Sequence, residues 1–457
     1  SKSKDVLAFL GDLSVNGNFA LDSVSDFGTL KTIGYGANWS PLTGVRVIAS
    51  VTDEDDAPAA SQLGGPVIVT PNVRVFDYTT GQTVSVSQTS GGNPFLLADS
   101  KRTFKLGLTL KPLEKTDLTL TATYVETSTR NATASFPAAT AQIEAAFPQR
   151  FTRDAGGMLI AIDARPVNFA RTEQSQLRWG INFSKPLKSK LQKQIEAFRA
   201  GTGPDPRPAL SGLRNLANQP SVFGGTLAQG MGGGGGQRGP GAAVTPPASG
   251  NPPPADGAPP PNTGGAPGGP GAGGPGGGGG RGGGGGGRGG GGLGGGGGRL
   301  QFAFYHTWHF IDRVQIAPGV PVIDLLNGGA IGSGGQSRQE IEAQAGYTNN
   351  GLGARLSVNW QSGTRVIGGT AAAPTTLNFS SLATANLRLF FDPSARPELI
   401  AKHRWLVGTR LVVSVDNLFD SRQRVRDAAG NTPISYQPDY LDPLGRTIRV
   451  GIRKMFF

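Results

Sequence analysis

Three histidines, a run of four carboxylates and one glycine-rich turn are the residues whose type and spacing could do chemistry here. His306 and His309 lie three apart in an alternating stretch, so their imidazoles fall on opposite faces of a strand and cannot share a metal. His403 stands alone in a turn, and structural roles are expected for all three. Asp53-Glu54-Asp55-Asp56 offers carboxylate oxygens to calcium but lacks the ligand spacing and central Gly of a calcium-binding loop. A solvated acidic loop is the expectation. Gly91-Gly92-Asn93-Pro94 reads as turn chemistry rather than a phosphate cradle, because no helical pattern follows it. The chain has no cysteine, which excludes disulfides and thiolate metal sites. No catalytic constellation emerges, so the chain is not read as an enzyme and no cofactor or metal is expected.

A second set of charges is placed more regularly. Arg178, Arg355, Arg388, Arg449 and Arg453, with Glu340 and Glu342, alternate with apolar residues at a period of two. That period puts the charges on one face of a sheet and the apolar residues on the other. The charged set can form cross-strand ladders, line a solute path or contact a filling domain.

Twelve alternating segments position these residues. In chain order their apolar members run Leu13 to Phe19, Ile33 to Trp39, Val45 to Val51, Phe104 to Leu110, Leu118 to Tyr124 and Leu177 to Phe183. The second half continues with Leu300 to Phe310, Ile341 to Tyr347, Leu352 to Trp360, Ala385 to Phe391, Leu411 to Val415 and Ile448 to Ile452. No second apolar set is available to cover so many oily faces, which argues against a soluble sandwich. A transmembrane antiparallel β-barrel, with lipid outside and water inside, accounts for the pattern. Aromatics such as Trp39, Tyr124, Tyr347 and Trp360 near strand ends suit interfacial girdles. Short turns at Pro41–Gly44, Pro112–Thr116 and Asn349–Gly351 alternate with long connections at Thr52–Lys101, Glu126–Glu173, Asp312–Ser337 and Leu418–Gly445. Barrels place short turns in the periplasm and long loops outside, which sends the C-terminus to the periplasm.

Composition sharpens the division. Of 73 Gly and 34 Pro, most of the excess falls in one segment, so the chain divides into 1–186 with strands one to six, a low-complexity insert 187–298, and 299–457 with strands seven to twelve. The insert opens with a helical pattern, Leu187, Leu191, Ile195 and Phe198 sharing a face. Its Gly/Pro tracts cannot bury enough apolar surface to offset ordering entropy and are expected to be a disordered periplasmic turn. From Leu187 to Gly298 nine Lys/Arg face three Asp/Glu, so half of the net charge of +12 lies there. Arg281, Arg288 and Arg299 among glycines suggest RNA binding, but no interleaved aromatics offer stacking, and nucleic acid is not the expected partner. The modest positive charge elsewhere suits outer-membrane lipid and anionic lipopolysaccharide. No run approaches the 18 or so apolar residues of a membrane helix, and Ser1-Lys2-Ser3-Lys4-Asp5 carries no signal pattern, so a mature chain or a C-terminal fragment is expected.

The C-terminal residues also resemble a family. Asn417-Leu418-Phe419-Asp420, Gly430-Asn431-Thr432-Pro433, Tyr436-Gln437-Pro438 and Asp442-Pro443-Leu444-Gly445-Arg446 are similar to the end of TonB-dependent outer-membrane receptors. Gln62-Leu63-Gly64-Gly65-Pro66, Tyr305-His306-Thr307-Trp308 and Trp360-Gln361-Ser362-Gly363-Thr364 fit the same family in order. The resemblance implies the C-terminal part of a larger barrel, of about twenty-two strands around an N-terminal plug. It implies a terminal aromatic assembly signal at Phe456, in phase with Ile448, Val450 and Ile452, with Phe457 one residue beyond. The whole receptor would take up a scarce solute, such as a siderophore, cobalamin or a saccharide, powered through the TonB complex. Neither a plug nor a TonB box is recognisable in this chain. Solute contacts in the family come mostly from external loops, which singles out Phe147, Arg150, Phe151 and Arg153. Two other readings stay open: a complete twelve-stranded passive porin, and an RNA- or surface-binding protein acting through the Gly/Arg tract.

Overall fold

The computed structural model describes residues 11–114, 116–204, 298–331, 334–369 and 374–455. The chain divides into two compact units, Ser1–Lys190 with Gly296–Phe457, and Leu191–Gly295. The helix expected from Leu187 onward begins only at Lys190 and runs to Arg199, and Leu187 instead ends the strand Val167–Leu187. The Gly/Pro tracts, with Arg281 and Arg288, lie outside the described residues, as do Phe456 and Phe457.

The first unit is nearly all β, as its alternating segments require. It opens with β1 (Asp12–Val24), β2 (Gly28–Ser40) and β3 (Val45–Asp56). A hairpin of β4 (Ile68–Asp77) and β5 (Gln82–Ser90) precedes β6 (Asp99–Leu110) and β7 (Asp117–Ala134). The short β8 (Phe151–Arg153) and β9 (Leu159–Asp163) precede β10 (Val167–Leu187) and β11 (Gly298–Gln315). Then come β12 (Ile323–Asp324), β13 (Gln339–Asn349), β14 (Leu352–Gln361), β15 (Thr364–Gly369) and β16 (Pro374–Phe379). The chain ends with β17 (Leu382–Phe391), β18 (Thr409–Asp416), β19 (Val425–Arg426) and β20 (Thr447–Lys454).

Twelve of these strands form one antiparallel path, β1-β2-β3-β6-β7-β10-β11-β13-β14-β17-β18-β20, with β12 appended to β11. They are the twelve segments legible as alternation, each hydrogen-bonded to the next wall strand in the chain. Among the described residues, β1 and β20 each have a strand neighbour on one side only.

Register carries the alternation across the sheet. Val45 pairs with Leu110, Leu110 with Leu120, Leu120 with Ile181, and Ile181 with Phe304. The row continues through Ala343, Val358 and Ala385. Paired residues share a face, so the row is a continuous apolar band. Most of it is uncovered: Leu106, Phe302 and Leu389, well inside the sheet, are 43%, 44% and 42% exposed, although Ala385 is buried. Among the described residues no helix is long and apolar enough to cross a membrane, which says nothing of strands.

Turn chemistry sets one end of the sheet. Asn350 and Gly351 both adopt positive φ, 49° and 77°, closing the two-residue hairpin between β13 and β14. The opposite end carries the long connections, with one exception. The first of them is only three residues, Ser25 to Phe27, because β1 and β2 pair without a break from Asp12–Ser40 to Val24–Gly28.

The remaining long connections are folded rather than open, a feature that alternation did not reveal. They supply a four-stranded sheet, β4-β5-β9-β8, and a three-stranded sheet, β15-β16-β19. All three clusters of buried apolar side chains lie at this end of the molecule. One joins Phe76, Tyr78, Val366, Leu377, Val425 and Tyr436. A second joins Ile143, Val167, Phe169, Val314, Ile316 and Ile323, and the third Val84, Val86, Ala139, Leu159 and Ile162. The hydrophobic core thus belongs to the loop layer, and the wall is one sheet thick.

Candidate functional site

The loop layer is held by two buried polar contacts between segments far apart in sequence. Asp77 ends β4 with no exposed side-chain surface, and its carboxylate accepts from Thr79 N–H at 3.0 Å and from Thr80 Oγ1 at 2.9 Å. Arg153, from β8, donates to Asp77 at 2.8 and 3.2 Å and to Glu144 at 2.7 Å through both Nε and Nη2. One planar guanidinium therefore ties the β4–β5 hairpin to the segment between β7 and β10, a task that suits its fixed fork of donors. The second contact is a 2.7 Å hydrogen bond between the hydroxyls of Tyr78 and Tyr436. Both rings pack edge-on against neighbours, Tyr78 against Phe76 at 4.9 Å and Tyr436 against Phe379 at 5.4 Å. Burial pushes both phenols up, Tyr436 to about 12.

Burial alone would raise the Asp77 carboxyl, but hydrogen bonds from Arg153, Thr79 and Thr80 outweigh it and hold the group below its usual range. Asp163 behaves alike: burial raises it, and Arg165 and Arg150 outweigh that and hold it below its usual range. A depressed carboxyl contributes stability that is present above its unfolded value, about 4, and lost as pH falls through the lower folded value. The loop layer is therefore expected to loosen below about pH 4 while the wall persists. Amide exchange over 68–90 and 151–163, corrected for intrinsic rate, checks this; unchanged protection at pH 3 would contradict it.

The loop residues singled out from the sequence all belong to this layer. Phe147 and Phe151 pack on Phe136 at 5.8 and 5.6 Å between centroids. Arg150 lies over the same ring at 5.9 Å and pairs with Asp163 at 2.7 Å. Arg153 is occupied as described, so the structure brings all four together as packing and pairing groups. Their partners Phe136, Asp77, Glu144 and Asp163 were not foreseen. The Asp77-Tyr78-Thr79-Thr80-Gly81 turn signals the local bonds of Asp77, but nothing local signals Arg153.

The polar face of the wall holds the other set. Arg178 reaches across β11 to Glu342, with Nη2–Oε2 at 2.8 Å and Nη1–Oε1 at 3.2 Å, and its guanidinium stacks 4.6 Å over Tyr305. Tyr305 lies across Gly180 and donates to Asn182 Oδ1 at 2.7 Å. A side chain at Gly180 would collide with that ring and with the Phe304 carbonyl. Gly180→Val is expected to cost about 1–3 kcal/mol by overpacking, measured as a shift in the denaturant midpoint; an unshifted midpoint would contradict the ring's placement. Glu340 accepts from Gln336 at 3.4 Å and lies 3.7 Å from His309 Nε2. Arg449 pairs with Asp416 at 3.2 Å. Arg355 and Arg388 stand directly opposite one another, and Arg453 stands opposite Arg410.

The remaining candidates resolve simply. His306 lies on the apolar face, where Trp179 Nε1 donates to its Nδ1 at 3.0 Å, and His309 lies on the polar face. Among the described residues no group of three or more His, Asp or Glu could hold a metal ion. Asp53 and Glu54 are strand residues of β3, not loop residues, and face Arg102 at 3.7 Å and Lys101 at 3.5 Å across β6. Gly91–Pro94 is a locked turn: Asn93 donates to the Pro166 carbonyl at 2.8 Å and accepts from Phe95 N–H at 3.1 Å.

No protein-family profile and no curated protein matches the chain. Solved structures similar to it include the ferric enterobactin receptor of Pseudomonas aeruginosa, 12% identical with a TM-score of 0.43, over 97% of this chain and 43% of that one. The siderophore receptor PirA of Acinetobacter baumannii is 10% identical with a TM-score of 0.44, over 97% and 43% of the two chains. The outer membrane transporter YddB of Escherichia coli is 10% identical with a TM-score of 0.40, over 97% and 45%. The chain spans less than half the length of these structures.

Proposed function

We propose that this chain is the barrel portion of a TonB-dependent outer-membrane receptor, supplying wall and external loops for energy-coupled uptake of a scarce solute. One observation carries the reading: twelve consecutive antiparallel strands present an uncovered apolar band on one face and charges on the other. An apolar band of that extent needs a lipid contact, and a sheet in lipid needs its backbone groups paired internally. The motifs from Asn417 to Arg446, which resemble the family, favour the receptor over other barrels. The short-turn end and the C-terminus would face the periplasm, and the loop layer the exterior, where lipopolysaccharide surrounds the barrel. Phe147, Arg150, Phe151 and Arg153 would then serve solute uptake by holding the shape of the external layer. Phe456 and Phe457 would form the assembly signal, and 187–298 a periplasmic insert between two six-strand halves.

A passive twelve-stranded porin is the second reading. Its support is parity: twelve alternating strands leave β1 and β20 running in opposite directions, as direct closure requires. Reading the gene upstream of Ser1 separates the two. A receptor predicts a signal peptide, a TonB box, a plug-sized domain and about ten further strand patterns, with uptake abolished in a strain lacking TonB. A signal peptide joined directly to Ser1 would sink the receptor and leave the porin.

A further inference from the structure

The connection from β17 to β18, at the short-turn end, folds back over the apolar face of the wall. Lys454 ends β20 in phase with Ile448, Val450 and Ile452, so it projects from that face. Its ammonium donates to the carbonyl of Trp405 and, at 2.6 Å, to that of Val407. Thr409, paired with Lys454 on the same face, is buried, whereas Ile452 is 71% exposed. A single helical turn, Arg404–Leu406, therefore carries Trp405 to the margin of the apolar band, and Trp405 is 70% exposed. Arg396 ties the same connection to the wall. Its guanidinium lies 5.5 Å from the ring of Phe391, in phase with Leu389, and its Nε donates to the Asn350 carbonyl at 3.0 Å. Lys402 and Arg404 are exposed on either side of His403. Among the described residues no carboxylate lies within ion-pair distance of Arg396, Lys402 or Arg404. Of the two carboxylates in the connection, Asp392 accepts from the Ser394 amide and Glu398 is exposed in the first turn of the helix Pro397–Lys402.

An exposed indole among unanswered cations, at the edge of an apolar band, fits the level where a bilayer passes from hydrocarbon to headgroup. The amphipathic ring is stabilised there, and basic side chains reach from apolar surroundings to the phosphates. Each cation at that level also favours anionic over zwitterionic lipid. A soluble acidic partner would have to approach the segment on the face that lipid occupies, whereas a phospholipid meets it there by position. We propose that Arg396, Lys402, Arg404 and Trp405 form a seat for the headgroup of an anionic phospholipid, whose acyl chains lie along the apolar face beside Leu352 and Ile452. Lys454 is the positioning residue, since it fixes the backbone that presents the indole. The inference rests on the reading in which the apolar face meets lipid.

The test uses the protein encoded by the complete gene, in nanodiscs of phosphatidylcholine. A trace of phosphatidylglycerol or of phosphatidylcholine, each spin-labelled on the upper acyl chain, serves as quencher. The fluorescence of Trp405 is read as the difference between the protein and its Trp405→Phe variant, and that of Trp308 in the wall likewise. The expected result is that labelled phosphatidylglycerol quenches Trp405 severalfold more than labelled phosphatidylcholine. The excess should disappear in high salt and when Arg396, Lys402 and Arg404 are all replaced by Gln. Equal quenching by the two lipids, or an excess that survives the triple variant, would overturn the anionic seat and leave the barrel reading intact. So would a Trp405 that neither lipid quenches while Trp308 is quenched by both. If neither tryptophan is quenched, the apolar face does not meet lipid, and both readings fall together.

Discussion

Leu356→Arg is expected to lower the stability of the folded wall by about 2–4 kcal/mol, and Ser357→Arg by far less, although the two positions are neighbours. Leu356 pairs with Ala345 on one side and Leu387 on the other, and the row continues through Val415 to Ile448. Ser357 pairs with Gln344 and Asn386 on the opposite face. If lipid touches the first row, an arginine there must carry its charge into hydrocarbon, whereas one at Ser357 stays in water. Denaturant titration of the protein refolded into phospholipid vesicles reads the difference. Equal costs at the two positions would mean that both faces are wet, and the transmembrane reading would fail.

Arg153→Leu is expected to cost the loop layer about 3–5 kcal/mol, the penalty for stranding buried charge. The substitution leaves Asp77, which has no exposed side-chain surface, with only the Thr79 and Thr80 donors, and Glu144 without its guanidinium. The loss should be local, because the wall strands pair with one another through their own backbone groups. Protease nicking within 68–90 and 151–163 should rise steeply while the wall stays resistant. Replacing both Asp77 and Arg153 by leucine should recover part of the loss, since it removes the fully buried charge and leaves only the partly exposed Glu144 unanswered. A double variant as labile as the single one would show that the guanidinium does more than answer the two carboxylates.

The two experiments probe structures whose legibility in the sequence differs sharply. The wall was legible because strand alternation is a local property: Leu177, Trp179, Ile181 and Phe183 occupy one face wherever that strand lies. Its turns were legible for the same reason, since Asn350 and Gly351 tolerate the positive φ that a two-residue hairpin demands. The charged set followed from phase alone, and register puts Arg178, Glu340, Glu342, Arg355, Arg388, Arg449 and Arg453 on one face of the sheet. Which arginine meets a carboxylate did not follow, because Glu342 reaches Arg178 only after β11 has been laid between them.

The loop layer was illegible for a physical reason. Some of its strands, such as β8 and β12 with three and two residues, are too brief to display a period, and the longer β4 and β5 fall inside what reads as one long connection. Its contacts are set by where the wall returns the chain: Arg153 finds Asp77 across 76 residues, and Tyr78 finds Tyr436 across 358. Even the parallel pairing of β5 with β9 needs two separate connections to be folded against each other. The amino-acid sequence by itself determined the number of wall strands, their faces and their tight turns, because period and turn dihedrals act within a few residues. Only the tertiary structure decided the folded loop layer and the pairing of its buried charges, because those partners are neighbours in space and strangers in sequence.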